Sequence, residues 1–332
     1  MAKTKTSAGT TSSLGPDDVL RLYRSMLLVR TIDERMWVLN RAGKAPFVIP
    51  CRGHEAAQVG WAAGLRHGDF VLPYYRDLGV MVALGYSAKQ AFLSLLGKAE
   101  ELTSGGRQMP GHYGWRERHV ITGSSPVTTQ VLHAVGVAYA SRMRGEDTVA
   151  ACSLGEGSTS QGDFHEALNW ASIYKLPVLF VVENNGYAIS TTQSREMAVQ
   201  DVAERALAYG MPGVAVDGTD FFACYEATRQ AAERARRGDG PTLLEFKMYR
   251  LLPHSSDDDD RTYRSRDEVE AWKDRDPILR MQNHLLEAGS LTAEDNDALR
   301  AEVQAEVDEA IAYAEAAPYP LVEDMFKHVY AD

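Results

Sequence analysis

Cysteine is scarce in this 332-residue chain. Cys51, Cys152 and Cys224 form an odd, widely spaced set with no CxxC pair, which argues against a disulfide framework and fits free thiols in a reducing compartment. Long apolar runs are absent as well: nothing approaches the ~20 consecutive apolar residues of a membrane span. Positive charge is the minority sign, with 35 Lys and Arg against 46 Asp and Glu and a net charge of −11. With no basic block, that balance excludes a nucleic-acid surface. The first fifteen residues, MAKTKTSAGTTSSLG, contain no Arg and no apolar stretch. They cannot be a secretory signal and make a poor transit peptide, so residues 1–15 are expected to be a disordered arm. The expected location is the cytoplasm, with the mitochondrial matrix as the lesser alternative. There is no internal repeat, no GxGxxG fingerprint and no Walker loop, which argues against a nucleotide-binding protein. What is present is 45% hydrophobic and 24% charged residues, enough for one large α/β domain or a domain with an appendage.

The chain is organised around Ser153–Ser190, SLGEGSTSQGDFHEALNWASIYKLPVLFVVENNGYAIS. Thr148–Leu154 is a short apolar run that reads as a buried strand. Gly155-Glu156-Gly157 turns the chain, Phe164–Lys175 reads as a helix that Pro177 stops, and Val178–Val182 reads as a second buried strand. Phe164, Ala167, Leu168 and Ala171 share one helix face, as a crossover helix on a sheet requires. Strand, helix and strand with short joints form a βαβ unit, whose strands are parallel and whose connection is right-handed. Ligands of open parallel sheets bind beyond the carboxyl ends of the strands. Glu156 lies just past the first strand and Asn184-Asn185 just past the second, so an acid and an amide oxygen converge there. Gly155 and Gly157 let backbone approach a ligand, and the helix that follows aims free N–H groups at an anion. Oxygen ligands beside a phosphate site suit a hard cation such as Mg²⁺. Taken singly, each motif also fits an ordinary turn.

Elsewhere, Pro16 starts a helix that runs to a stop at Gly43. Gly53–Gly60 is a loop entering a helix, and Asp69–Leu72 is a strand. Tyr75 and Arg76 follow that strand, where a guanidinium fork can grip phosphate or pair with Asp77 or another surface acid. Ser104–Gly114 is a loop that holds His112. A helix from about Thr128 to Arg144 is closed by Gly145. Ser124, Ser125, Thr128 and Thr129 either cap it or ligate a cation, and capping is the favoured reading. Thr191–Arg205 reads as an exposed loop leading into a helix, Val214–Val216 as a strand, Phe221–Arg237 as a helix and Thr242–Tyr249 as a strand. The His254 loop that follows mixes one His, two Ser and an acidic cluster directly after a core strand, which suits an active-site loop. From Ser265 the chain is helical and acidic, with a capping box at Ser265 and Glu268 and a second helix start at Thr292 and Asp295.

Gly155-Glu156-Gly157 followed by Asn184-Asn185 resembles the thiamine diphosphate motif, with Glu in place of the usual Asp. Together with GHEAAQVG, PYYRD, GRQMPGHYG, SSPVTTQ, ENNGYAIS and PHSSDDDD, the resemblance runs from about Asp17 to the end. It is to the α subunit of the E1 component of 2-oxo acid dehydrogenase complexes. SSPVTTQ and PHSSDDDD look like the branched-chain type; the pyruvate type typically reads His-Gly-His-Ser-Met-Ser-Asp-Pro near the histidine. The implied fold class is α/β, a thiamine diphosphate-binding fold with a parallel sheet flanked by helices over residues 16–264. A helical C-terminal appendage over residues 265–332 would follow.

The resemblance implies roles residue by residue. Glu156, Asn185 and the main-chain carbonyl of Tyr187 would bind Mg²⁺. Tyr75, Arg76, Gly155, Gly157, Ser158 and His254 would surround the cofactor's phosphate end, with Ser125 nearby. Val127 stands where the family has Leu, beneath the bent cofactor, and is the shorter side chain. Ser124, Pro126, Thr129 and Gln130 match a potassium site. His254 matches the catalytic histidine that assists acyl transfer, since an imidazole near neutrality can hold or donate a proton. The cofactor supplies the electron sink for decarboxylation.

The glutamate that activates the cofactor lies on a β subunit in this family, and no second α/β domain follows Tyr263. The expected partners are therefore an E1 β subunit in an α₂β₂ heterotetramer, a lipoyl-bearing E2 acyltransferase and a 2-oxo acid substrate of the 3-methyl-2-oxobutanoate type. The alternatives are a pyruvate or acetoin dehydrogenase α subunit and, more remotely, a non-catalytic Mg-diphosphate-binding subunit.

Overall fold

The computed structural model describes residues 14–327, 329 and 330. The disordered arm expected over residues 1–15 therefore lies outside the described residues but for Leu14 and Gly15, and Leu14 packs against the core. Helix α1, Pro16–Arg41, has Pro in its first turn with Asp17 and Asp18 beside it and Arg41 in its last turn, each sign matching the helix dipole. Gly43 ends it in the left-handed region, as a helix stop of this kind requires. Helix α2 (Glu55–Ala63), strand β1 (Phe70–Leu72), α3 (Leu78–Ala83) and α4 (Ala88–Leu95) follow, then α5 (Thr129–Arg144). The expected βαβ unit comes next as β2 (Ala150–Gly155), α6 (Gly162–Ile173) and β3 (Val178–Asn184).

A small antiparallel pair, β4 (Tyr187–Ala188) and β5 (Thr191–Thr192), leads to α7 (Gln193–Glu196), β6 (Gly213–Asp217), α8 (Phe221–Arg236) and β7 (Thr242–Lys247). Strands β1, β2, β3, β7 and β6 lie in that order in one parallel sheet. Strands β2 and β3 are buried along almost their whole length, which explains their continuous apolar sequence. Side chains of β2, β3 and β7 alternate between two cores. Ala151, Leu179, Val181, Leu244 and Phe246 face the larger one, and Cys152, Leu154, Phe180, Val182 and Leu243 face the smaller one beneath α5 and α6.

Several boundaries differ from the sequence reading. Strand β3 continues past Val182 through Glu183 and Asn184, which pair with Phe246 and Lys247 of β7. The apolar pattern stops before the strand does, because side-chain partners satisfy both polar groups. A 3₁₀ turn over Glu156–Ser160 separates Gly155 from α6, so the N–H groups nearest Gly155 belong to that turn and not to α6. Thr191–Arg205 is not one exposed loop: it contains β5 and α7 and runs into a 3₁₀ segment, Val202–Tyr209, with Val202, Ala203 and Ala206 buried.

Among the described residues the tail holds three α-helices, α9 (Arg266–Lys273), α10 (Pro277–Glu287) and α11 (Ala293–Ala316). Ser265 caps α9 by accepting from the Glu268 N–H. The Glu268 carboxylate instead accepts from the Tyr187 and Tyr249 hydroxyls, so half of the expected box is made. Thr292 caps α11 as read. Residues of α10 and α11, among them Ile278, Met281, Val303 and Val307, share the larger core with α1 to α4.

Candidate active site

The parallel register sets Gly155 of β2 opposite Glu183 of β3, which brings Glu156 and Asn185 together past the strand ends. The Asn185 N–H donates to Glu156 Oε2 at 3.2 Å. Glu156 is 1% exposed, and its Oε1 has no hydrogen-bond partner. Burial pushes its carboxyl up to about 7, against the pull of its own and the Asn185 N–H. A left-handed Gly186 turns the chain so that Asn185 Oδ1 accepts from the Tyr187 N–H at 3.3 Å. Arg250 Nη1 reaches the Tyr187 carbonyl at 3.5 Å.

One orphaned carboxylate oxygen, one amide oxygen and one carbonyl oxygen are the donor set of a hard cation. Among the described residues no group of three or more His, Cys, Asp or Glu could hold a metal. A divalent ion here would thus need further oxygens from its ligand and from water. A Cβ on Gly155 would touch no protein atom, whereas one on Gly157 would lie 2.5 Å from the Ala188 Cβ. Only the second glycine is demanded by packing within this chain.

Arg76 overturns the reading in which it pairs with a surface acid. It is 2% exposed and donates through Nη1 to the Pro50 carbonyl (2.5 Å) and the His254 carbonyl (3.3 Å), and through Nη2 to His254 Nδ1 (3.1 Å). Asp77 instead accepts from Tyr74 N–H and from the Ser153 hydroxyl. Arg250, fully buried, also reaches His254 Nδ1 at 3.4 Å and donates to the Ile189 carbonyl and the Tyr263 hydroxyl. Neither guanidinium makes an ion pair with a carboxylate within 4 Å among the described residues, and the Nε of each is buried without a partner. Two adjacent buried cations whose partners among the described residues are neutral carbonyl, imidazole and hydroxyl groups are arranged to receive an anion.

His254 sits between these cations, with the Tyr75 ring edge-on at 6.1 Å and its own N–H donating to Asp258 at 2.7 Å. Burial first, then the charges of Arg76 and Arg250, hold its imidazole down at about 3. The expectation of an imidazole titrating near neutrality is therefore corrected for the chain by itself. Both guanidinium donors face Nδ1, so the neutral ring carries its proton on Nε2.

The 124–130 loop does not cap α5 as expected. Thr128 stands at the N-cap with φ of 82°, and no side chain accepts an N–H there. The Thr128 hydroxyl donates to the Ser158 carbonyl and the Thr129 hydroxyl to the Pro126 carbonyl. Gln130 donates to the Ser153 carbonyl at 2.8 Å while its Oε1 is buried with no partner, an acceptor suited to a cation. Ser125 Oγ lies 2.6 Å from His112 Nε2. Because His112 Nδ1 faces the Met109 carbonyl at 3.0 Å, Ser125 is the donor of that pair. Val127 is exposed and Ser124 partly so.

Sequence reasoning missed two residues. Arg250 looked like the start of a loop, and only its position directly after a core strand, as with Arg76 after β1, signalled a site. Glu183 falls just past the apolar run Val178–Val182 from which the strand is read. It is fully buried and accepts from His54 Nδ1, Gln58 Nε2, Trp61 Nε1 and the Tyr74 hydroxyl.

Residues 23–323 match the family model described as dehydrogenase E1 component. The chain is 54% identical to the 2-oxoisovalerate dehydrogenase subunit alpha of Bacillus subtilis (strain 168) over 96% of this chain and 97% of that one. It is 42% identical to the 3-methyl-2-oxobutanoate dehydrogenase subunit alpha of Mycobacterium tuberculosis (strain ATCC 25618 / H37Rv), covering 96% and 84%. It is 39% identical to the mitochondrial 2-oxoisovalerate dehydrogenase subunit alpha of Homo sapiens, covering 96% and 72%.

Proposed function

Because the chain belongs to the dehydrogenase E1 component family, we propose that its site serves as the α-subunit half of a branched-chain 2-oxo acid dehydrogenase centre. The reaction is the oxidative decarboxylation of a 2-oxo acid of the 3-methyl-2-oxobutanoate type, with transfer of the acyl group to a lipoyl group. Thiamine diphosphate, when bound, supplies the electron sink that lets a 2-oxo acid lose carbon dioxide. Glu156 Oε1, Asn185 Oδ1 and the Tyr187 carbonyl would hold Mg²⁺. Arg76 and Arg250 offset the diphosphate charge, and Tyr75, Gly155, Gly157 and Ser158 line its approach. Val127 and Ser125 lie on the 124–130 loop, and Gln130 Oε1 with Ser124, Pro126 and Thr129 would take K⁺. His254 is the catalytic residue, presenting a neutral imidazole with Nε2–H as donor to the reacting group.

The observation that carries this reading is the meeting of an orphaned Glu156 oxygen with two uncompensated guanidinium groups around His254. All of these groups lie within residues 16–264, the span we assign to cofactor binding, with residues 265–332 as the helical appendage. The activating glutamate would come from a β subunit in an α₂β₂ assembly that docks on a lipoyl-bearing E2 acyltransferase. No helix among the described residues is long and apolar enough to cross a membrane, and buried, unpaired Cys51, Cys152 and Cys224 suit a bacterial cytoplasm.

The test is co-expression of the full chain with a β-type subunit, thiamine diphosphate titration with and without Mg²⁺, and decarboxylation of 3-methyl-2-oxobutanoate and pyruvate. Turnover that needs both chains and favours the branched substrate is the expected result. A preference for pyruvate would move the protein to the pyruvate type with the same site. Cofactor binding without turnover on either would favour the non-catalytic alternative.

A further inference from the structure

We propose that Glu183 is a positioning residue that fixes the anion-gripping Arg76 at a set distance from the metal-binding end of β3, so that one diphosphate can engage both. This rests on the site reading above. Glu183 lies two residues before Asn185 and points, like Leu179 and Val181, to the sheet face covered by α2. Among the described residues no guanidinium or ammonium pairs with its carboxylate. Four donors hold it instead, His54 Nδ1 at 3.0 Å, Gln58 Nε2 at 2.8 Å, Trp61 Nε1 at 3.2 Å and the Tyr74 hydroxyl at 2.9 Å, and the buried Asp77 carboxyl, pushed well above the carboxylate range by burial and by Glu183, bonds it as well. Burial drives the His54 imidazole down, so that ring serves as an N–H donor.

Two of those four donors connect to Arg76, Tyr74 along the chain and Gln58 by a hydrogen bond. Tyr74 is two residues before it, and its N–H is anchored to Ser153 of β2 at 3.1 Å. Gln58 Nε2 also donates to the Arg76 carbonyl at 3.0 Å, while its Oε1 accepts from the Gly79 N–H at 3.0 Å. The fit leaves no slack, since a Cβ on Gly79 would lie 2.7 Å from that oxygen. Arg76 is thereby tied through one amide and one phenol to the strand that carries Asn185. Three of the four donors converge on Oε2 and Trp61 alone of the four reaches Oε1, so an amide in place of the carboxylate sets its NH₂ against at least one donor. In Glu183→Gln the new NH₂ must face either Trp61 Nε1–H or the three donors on the other oxygen.

The experiment uses the full-length chain co-purified with its β subunit. Thiamine diphosphate affinity with Mg²⁺ is measured by calorimetry, alongside the KM for thiamine diphosphate and kcat at saturating cofactor. Glu183→Gln is expected to weaken cofactor affinity by about 10- to 100-fold, with kcat at saturation changed far less. Tyr74→Phe, which removes one hydroxyl and keeps the ring, should weaken affinity in the same direction and serves if the first variant fails to fold. Adding Trp61→Phe to Glu183→Gln removes the opposed N–H and should recover part of the loss, which a merely structural defect would not do. Wild-type complex that binds the cofactor while the folded variants bind it equally well overturns the positioning role alone. Wild-type complex that does not bind thiamine diphosphate overturns the site reading and this proposal with it.

Discussion

At the scale of single residues, the site works through charges that the fold leaves unbalanced. Glu156 has its carboxyl raised to about 7 by burial, so near neutrality a cation bound there as proposed would displace a proton from it. Only the ionised form binds metal, hence affinity falls as pH drops. Mg²⁺ affinity should weaken by about tenfold per pH unit below that point and level off above it. Calorimetric titrations across pH check this, and Glu156→Ala should abolish both the slope and Mg²⁺-dependent cofactor binding. Unchanged binding in that variant would remove Glu156 from the metal site. His254 shows the opposite imbalance: burial and two neighbouring cations favour its neutral form. An anion that offsets Arg76 and Arg250 lifts that electrostatic penalty, so pyrophosphate should raise the His254 pKa. Nitrogen shifts of the labelled imidazole, followed against pH with and without pyrophosphate, read this directly. His254→Ala should leave cofactor affinity nearly intact while acyl transfer to lipoate collapses.

At the scale of elements, the βαβ unit was legible because β2 and β3 are apolar runs bounded by Gly155 and Pro177, and buried parallel strands have that signature. The last two residues of β3 were not legible, since Glu183 and Asn184 are polar and their partners lie on distant segments. Asn184 donates to Glu245 and Gln193, contacts that no local pattern announces. The favoured capping role of the serine and threonine cluster before α5 failed for a backbone reason: Thr128 sits in a left-handed conformation and turns its hydroxyl toward Ser158. The tail's caps, in contrast, are local and were readable. The Asp276 cap and Pro277 start of α10 were overlooked between two better-marked helices. Thr292→Ala removes the one hydroxyl that caps α11 and should cost about 1 kcal/mol of stability. Chemical denaturation should show the loss while thiamine diphosphate affinity stays unchanged.

At the scale of the molecule, one parallel sheet sorts the chemistry onto a single edge. Arg76, Glu156, Asn185, Arg250 and His254 follow the carboxyl ends of β1, β2, β3 and β7, and the two cores beneath hold those ends in register. Family membership and the main site motifs could be read from the sequence because they are contiguous segments. The Glu183 scaffold could not, because it joins residues from 54 to 183 that meet only in the folded chain. The unneutralised pair of Arg76 and Arg250 also reaches beyond catalysis. Mutually repelling buried cations weaken the folded chain until an anion joins them, so saturation at a hundredfold over Kd adds about 2.7 kcal/mol of stability. A subunit that is firmest only when loaded is exposed to proteolysis when vitamin B1 runs short. Its cellular abundance should then track nutrient supply, independently of how strongly its gene is expressed.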